Sequence, residues 1–595
     1  MAKKDFNIFP VVIDQLPLVK PLVYRKALDK GQSDLVANAL CDVLTFFEAN
    51  QFLKYSASDL LRLDEYISLL FSIVCDVRFK PTDAAARRMA ACNHLLANIV
   101  ATSSYQTTDG PLLHVLRQDN NLSKILFLHN PRNSFRITPK MLFDVNPELA
   151  SVWYTTYLIS TSNPTEILQR NLKGHLQDMD DRWVPSNPNV SCMYFTTTYL
   201  APEHDRQVKA LINAGCKKRL DIKVTNTPNP KSIAVLTSKW HRNHAVYKSA
   251  APLVNQLHKK YDVTLVHLGN STPQNLVTEN FVKVVNAKFK GFNLALPPEV
   301  MDNNFAAIYY PDVGMNDESV WLSNYRLAPV QAMGYGHPAT SGDNSEIDYF
   351  IGGTIERAMY DQYSEQMILI PGLAQSPVWP SATRKNNWEP SEKVRINCVW
   401  GPDKYNYTML KVLRAISNAA TREHVWRFFP SPGINRYGGL VPFVNAIKAT
   451  LPNSEIISDK EYFDYMEEAE KGDFSVNSFP FGGYNTVIES LFLGVPMVTL
   501  EGDRFYNRAA SEVLRKIGME HLSSKTVKEF VEICTLLIND PESLTAARHE
   551  LAGCDLKTEL FEDDNDYFLQ AFDYILSNPP KSDKPIIIGE TNGQA

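Results

Sequence analysis

From about residue 20 to residue 225, apolar positions recur three and four apart. The stretches Tyr24–Phe52, Leu60–Phe79 and Thr82–Ser103 keep that spacing with few glycines, which predicts amphipathic helices. The pattern breaks around Asp109–Asn133 and returns over Met141–Ser160 and Pro164–Leu176. No period of fixed length runs through this region, and the 34-residue tetratricopeptide signature is missing. Its aromatic surplus, Phe46, Phe47, Phe52, Tyr55, Tyr66, Phe71 and Phe79, reads as helix-packing core. Past the polar, proline-bearing stretch Val224–Lys231 the period changes. Short apolar runs at Ser232–Thr237, Tyr261–Gly269, Phe305–Tyr310 and Tyr349–Ile351 read as buried strands. They alternate with helical stretches at Tyr247–Lys259 and Trp321–Met333, which predicts a doubly wound parallel α/β domain over 230–375. A second alternation starts at Val394–Val399 and continues through Val425–Phe429 and a helix at Tyr437–Thr450.

The second alternation leads into Asp473–Leu500. A short apolar run is followed by a turn rich in Pro and Gly, then by Asn485 and Thr486 with Glu489 three residues on, then by the apolar run Met497–Leu500. That order predicts strand, loop, capped helix and strand. The helix N-terminus would face the crevice at the strand ends, where its N–H groups suit phosphate or a polar sugar; a plain solvent-facing turn would have the same composition. Two α/β halves facing a cleft, neither with GxGxxG at its first strand, fit a sugar-nucleotide transferase better than a dehydrogenase.

A formal net charge of -6 offers no positive surplus for nucleic acid or a membrane surface. The 8 cysteines are scattered without a CxxC pair, as expected of buried thiols in a reducing compartment. Residues 1–19 are interrupted by Asp5, Pro10, Asp14 and Pro17, and no 18-residue apolar run occurs, so no signal peptide and no membrane span is expected and the cytoplasm is the expected location. His204 and Asp205 suit either a buried His–carboxylate couple or the N-terminus of the helix that follows. No DxD stands at a strand end, so no metal is expected.

Several motifs occur in a recognisable order. Gly336-His337-Pro338-Ala339-Thr340-Ser341-Gly342 with Asp348-Tyr349, then Tyr363-Ser364-Glu365-Gln366, resemble the catalytic part of the O-linked N-acetylglucosamine transferases. Tyr309–Met315, Ser323–Ala332, Asn477–Gly482 and Gly494–Thr499 resemble the bacterial HMW1C-type cytoplasmic N-glycosyltransferases. The resemblance implies an all-α domain over 1–228, then two Rossmann-like α/β domains facing a cleft, the GT-B fold: an acceptor-side domain over 229–375 and a nucleotide-sugar-binding domain over 376–560. A C-terminal helix and tail follow over 561–595. It also implies transfer of glucose or galactose from a UDP-sugar to asparagine in Asn-X-Ser/Thr sequons of a target such as an adhesin, by an inverting reaction without a metal or other cofactor. Transfer to Ser/Thr or to a glycan, and a catalytically silent sugar-nucleotide or peptide-binding module, remain as alternatives.

Residue by residue, the resemblance places Lys404, read as an exposed loop lysine, at the β-phosphate, and His244, with its neighbour His241, at the donor. Gly482, Asn485 and Thr486 fall at the diphosphate. Glu489 falls at the ribose or uridine, although a capping-box glutamate reads the same. Gln331 and His337 line the middle motif, His337 as loop packing first. Asp205 approximates an aspartate that orients or activates the acceptor, which completes a catalytic set of Lys404, His244 and Asp205. Two departures stand out. Phe463 takes the place of a donor-pocket histidine and is either a stacking ring there or ordinary helix core, and Tyr484 adds bulk near the sugar.

Overall fold

The computed structural model describes residues 21–50, 56–159, 162, 164–186, 189–218, 224, 227–269, 275–287, 298–386, 388–431, 434, 438–458, 460–561, 566–578 and 584–589. Phe52, Tyr55, Tyr437, the N-terminal residues 1–19 and part of the linker around residue 225 lie outside them. The chain forms two compact units, one of residues 1–186, 405–410 and 430–452, the other of the remainder.

The first unit is helical. It contains α1 (Pro21–Asp29), α2 (Ser33–Asn50), α3 (Ala57–Cys75), α4 (Asp83–Ala91), α5 (Asn93–Thr102), α6 (Asp109–Val115), α7 (Leu122–Leu128), α8 (Pro139–Phe143), α9 (Pro147–Tyr157) and α10 (Glu166–Gln177). The stretch Tyr24–Phe52 is two helices, not one, because Gly31 between them takes φ +70, a left-handed conformation that ends a helix. The stretch Thr82–Ser103 likewise divides at Cys92, and the broken pattern near residue 120 holds the short α6 and α7. Trp153 and Tyr157 of α9, His129 after α7 and His175 of α10 stack together in a buried cluster.

The second unit opens with α11 (Ser191–Leu200) and α12 (Asp205–Lys217), joined through a tight turn at Pro202–His204. Then follow β1 (Asn229–Thr237), α13 (Ala245–Gln256), β2 (Asp262–Leu268), β3 (Lys283–Ala287), α14 (Pro298–Met301), β4 (Phe305–Tyr310), α15 (Asp317–Ser323), β5 (Val330–Met333), β6 (Tyr349–Gly353) and β7 (Gln366–Ile370). The expected helix Trp321–Met333 is corrected: α15 stops at Ser323 and the second half is strand β5. Pro329, which has no N–H and disfavours helix at the residue before it, separates them. The second half of the unit holds β8 (Val394–Cys398), α16 (Tyr407–Ala419), β9 (His424–Phe428), α17 (Leu440–Thr450), β10 (Ser454–Ile456), α18 (Tyr462–Glu470), β11 (Phe474–Val476), α19 (Asn485–Phe492), β12 (Met497–Leu500), α20 (Phe505–Lys516) and β13 (Ser523–Ser524). Of these, α17 and the first turn of α16 belong to the first unit. The helices α21 (Val527–Asn539), α22 (Pro541–Gly553), α23 (Leu556–Phe561) and α24 (Tyr567–Ser577) and strand β14 (Ile586–Ile587) end the described chain.

Two parallel sheets result, in the orders β14-β7-β6-β5-β4-β1-β2-β3 and β10-β9-β8-β11-β12-β13. Strands covered on both faces need apolar side chains at nearly every position, and β4, with every residue buried, shows it. The last described strand returns to the first sheet: β14 pairs with β7, while Phe568 and Phe572 of α24 pack edge-on against Tyr309.

Candidate functional site

β1 ends at Thr237, and the loop after it delivers His244 to the N-cap of α13. There the Nδ1 of His244 accepts the N–H of Val246 at 3.1 Å. Burial first, then the charges of Lys239, His241 and Lys248, lower its pKa to about 3. The ring is therefore neutral with its proton on Nε2, so it can donate a hydrogen bond outward and is no base. His241 sits beside it, ring centroids 5.2 Å apart.

From the second sheet, β11 delivers Asn477, whose side chain organises the following loop. Its Oδ1 accepts the N–H groups of Ser478 (3.0 Å) and Gly483 (2.8 Å), and its Nδ2 donates to Thr499 (3.2 Å). A Cβ on Gly482 would stand 2.5 Å from the carbonyl oxygen of Tyr506, and one on Gly483 2.1 Å from Oγ1 of Thr486, so the loop closes this tightly only with glycine. Asn485 then starts α19, and its Nδ2 donates at 3.3 Å to the carbonyl of Ala245, the first residue of α13. The N-termini of two helices, one per sheet, meet here, and both present positive dipole ends suited to an anion.

Lys404 completes the positive side. It is half-buried rather than exposed, a correction to the sequence reading: its Nζ donates to the carbonyl of Gly482 at 2.8 Å and lies 5.3 Å from the Phe481 ring centre. Burial lowers its pKa to about 8 despite the opposing charge of Asp403. Farther along α19, Glu489 is buried, accepting from Lys248 of α13 at 2.8 Å and from the hydroxyl of Tyr465 at 3.2 Å. The capping-box reading of Glu489 falls, because α19 begins at Asn485 and Tyr484 at its cap makes no side-chain cap bond. Thr486 lies in the first turn of α19, against Gly483.

Asp205 belongs to a second cluster. It is buried, with Oδ1 accepting from Thr198 at 2.6 Å and Oδ2 from Lys209 at 3.0 Å. Of the two readings of His204 and Asp205, the helix N-terminus holds, since α12 begins at Asp205, and the His–carboxylate couple does not form: Asp205 pairs with Lys209, one helical turn on. Lys209 also donates to the carbonyl of Thr340 (3.1 Å) and lies 3.3 Å from Nε2 of His337. Thr198 gives its one proton to Asp205, so toward the same His337 nitrogen, 3.1 Å away, its oxygen can act only as an acceptor. Burial and Lys209 keep the His337 ring neutral.

Gln331 does not join either cluster. It is buried at the start of β5, where its amide serves the N–H of Leu327 and the carbonyls of Tyr325 and Glu346. Phe463 is 62 % exposed on α18, edge-on to Tyr462, so the helix-core reading of this ring is corrected. Lys248, Tyr465 and Lys209 were missed in the sequence, and Asn477 stood there only as the start of a motif, with no role of its own. Two had a usable signal, since Lys248 stands four residues after His244 and Lys209 four after Asp205, each on the same helix face. Among the described residues no group of three His, Cys, Asp or Glu could hold a metal ion, and no helix is long and apolar enough to cross a membrane.

Residues 466–569, which include the second of the two meeting helix N-termini, match the model of glycosyl transferase family 41. A UDP-glucose:protein N-beta-glucosyltransferase of Actinobacillus pleuropneumoniae serotype 5b is 25% identical over 543 residues, 84% of this chain and 86% of that protein. Another similar protein is a probable UDP-N-acetylglucosamine–peptide N-acetylglucosaminyltransferase SPINDLY of Arabidopsis thaliana, 34% identical over 88 residues, 15% of this chain and 10% of that one. Among solved structures, an O-GlcNAc transferase variant of Thermobaculum terrenum superposes with a TM-score of 0.56 at 16% identity, covering 90% of this chain and 96% of that one. That likeness is one of fold, and it makes the helices followed by two parallel sheets a GT-B-like arrangement. The helix pair α13 and α19 with Lys404 is the part of this chain with the chemistry for a diphosphate.

Proposed function

We propose that this chain is an inverting transferase that moves glucose from UDP-glucose to the side-chain nitrogen of asparagine in Asn-X-Ser/Thr sequons of a target protein. The observation that carries the reading is the Lys404 ammonium, held on Gly482 beside two converging helix N-termini. As the bond from C1 to the diphosphate breaks, negative charge grows on the leaving oxygen, and fixed positive groups there lower the barrier. The neutral His244, donating from Nε2, adds a hydrogen bond without competing for the proton. Glu489, already oriented by Lys248 and Tyr465, keeps lone pairs for the ribose hydroxyls. Asp205, tied to Lys209 and Thr198, orients the acceptor and does not take up its proton. The acceptor nitrogen attacks C1 from the face opposite UDP, the C1–N bond forming as the C1–O bond to the diphosphate breaks, which inverts that centre; UDP leaves with the bonding pair and the nitrogen loses one N–H proton to solvent water.

The protein N-glucosyltransferase relative, aligned over most of both chains, supports donor and acceptor. A large secreted adhesin as target and a cytoplasmic site of action are the finer parts of the proposal; the second draws on eight cysteines that all remain thiols. The test is mass spectrometry of an Asn-X-Thr peptide incubated with UDP-glucose. One hexose on Asn is expected, with none on a Gln-X-Thr control. A hexose on the control's Thr would replace N- with O-transfer, and UDP binding without product would make the chain a binding module.

A further inference from the structure

The rings of Tyr199, Phe481 and Tyr506 form a stack that none of the roles above uses. Tyr199 lies 3.9 Å from Phe481 with planes 11° apart, and Tyr506 covers the other face at 4.5 Å and 14°. The three come from different places: α11, the loop after β11, and α20. Phe481 precedes Gly482, whose carbonyl holds Lys404, and the Lys404 ammonium lies over the same phenyl ring. α11 also packs directly on the turn Pro402–Lys404. One end of α11 is anchored, since Thr198 binds Asp205 and the Tyr194 hydroxyl donates to the carbonyl of Ser341 at 2.7 Å. A ring held on both faces cannot turn, so the peptide that follows it, and the carbonyl that positions Lys404, is fixed by the stack.

We propose that Tyr199 is a positioning residue for the donor diphosphate, acting through Phe481 and Gly482 on the Lys404 ammonium. It deepens the proposed function, because it rests on Lys404 meeting the diphosphate. The stack excludes water from one side of the ammonium and so contributes to the burial that lowers its pKa. The other titratable groups at this place are Asp403, which opposes that shift, the neutral Tyr199 and Tyr506, and the neutral His337, whose ring lies 6.4 Å from Phe481. Only the protonated lysine binds the diphosphate, so activity falls as pH rises through the lysine's pKa. Removing the ring rehydrates the ammonium and moves that fall to higher pH.

The test uses the full chain with UDP-glucose and acceptor peptide, measuring kcat, donor KM and melting temperature from pH 6 to about 10, since an unperturbed lysine titrates at about 10.4. In Tyr199→Leu, kcat is expected to drop about tenfold or more and the alkaline limb to move up by about one pH unit, while Tyr199→Phe, which keeps the ring, stays within about twofold of the parent. Tyr199→Met, similar in bulk, repeats the measurement if Leu does not fold. An unmoved alkaline limb with losses that simply follow melting temperature would overturn the proposal. So would equal damage in Tyr199→Phe, which would assign the effect to the hydroxyl. Lys404→Met separates the two levels. If it binds UDP as tightly as the parent by calorimetry, the diphosphate reading itself fails; if it loses UDP while Tyr199→Leu behaves as the parent, only the role of Tyr199 fails.

Discussion

A lysine half-buried against a main-chain carbonyl has two consequences that single substitutions can read. Lys404→Ala removes the ammonium where charge develops, and turnover should fall by about two to three decades, which corresponds to about 3–4 kcal/mol. It also leaves the Gly482 carbonyl without its donor, so melting temperature should fall by an amount equivalent to about 1 kcal/mol rather than stay put. Near-parent turnover in this variant would take Lys404 out of the site. In the parent, activity should decline as pH rises through about 8, because the ammonium form is lost there. Phe463 illustrates what burial decides. Had it been core, a histidine would have cost stability; at 62 % exposure, Phe463→His should shift stability by no more than about 0.5 kcal/mol. Its neighbour Tyr462 carries Lys248 over its ring at 4.1 Å, so the expected readout is a changed ratio of turnover with UDP-glucose and UDP-galactose. An unchanged ratio would remove Phe463 from the donor side.

At the scale of elements, the loop between β11 and α19 is held by one amide. Asn477→Ala removes two acceptor bonds to main-chain N–H groups and one donor bond to Thr499, all buried. A cost of about 1–3 kcal/mol is expected, with donor KM rising as the helix N-terminus loses its place. Full donor affinity with a lowered melting temperature would show the loop to be stabilising without positioning the donor. The alternation of strands and helices was legible because parallel strands buried on both faces need unbroken apolar runs. It failed at β5, where VQAM follows Pro329 closely enough to pass for the end of a helix, and at β3, whose Lys283–Ala287 mixes exposed and buried positions near the sheet edge.

At the scale of the whole molecule, both units bury neutral histidines, His244 and His337 among them in the second, but the second also buries carboxylates that respond to pH in the opposite sense. In the helical unit His94, His129 and His175 are kept neutral by burial, the first two with pKa near 4. A histidine depressed in the fold contributes stability that is complete above its unfolded value of about 6.5 and is lost as pH falls toward 4, up to roughly 3 kcal/mol for His129. In the other unit burial raises Asp312 to about 7 and Glu356 to about 8, so acidification relieves a penalty there and offsets what His244 and His337 lose on becoming charged. Acidification from pH 7 to 4.5 should therefore loosen the helical unit first. Hydrogen exchange would show protection falling in α9 and α10 while β4 and β6 keep theirs. Equal loss in both units would refute this.

Periodicity alone determined the order of layers, helices first and then two runs of strand–helix alternation, because the spacing of apolar residues is a local property of each element. Ordered motifs carried the resemblance in the same way, since glycine and proline at set positions are needed wherever that loop is built. Which side chains meet was decided only by the tertiary structure. Lys248 and Glu489 are 241 positions apart, and Tyr199 and Phe481 farther still; nothing local to either partner names the other. Asp205 could be read as a partner for His204 beside it, yet the turn before α12 sends its carboxylate to Lys209. Proximity in the chain suggested one chemistry; the packing of α11 and α12 against the His337 loop selected another, because a buried carboxylate is stable only where a charge and a donor already wait for it.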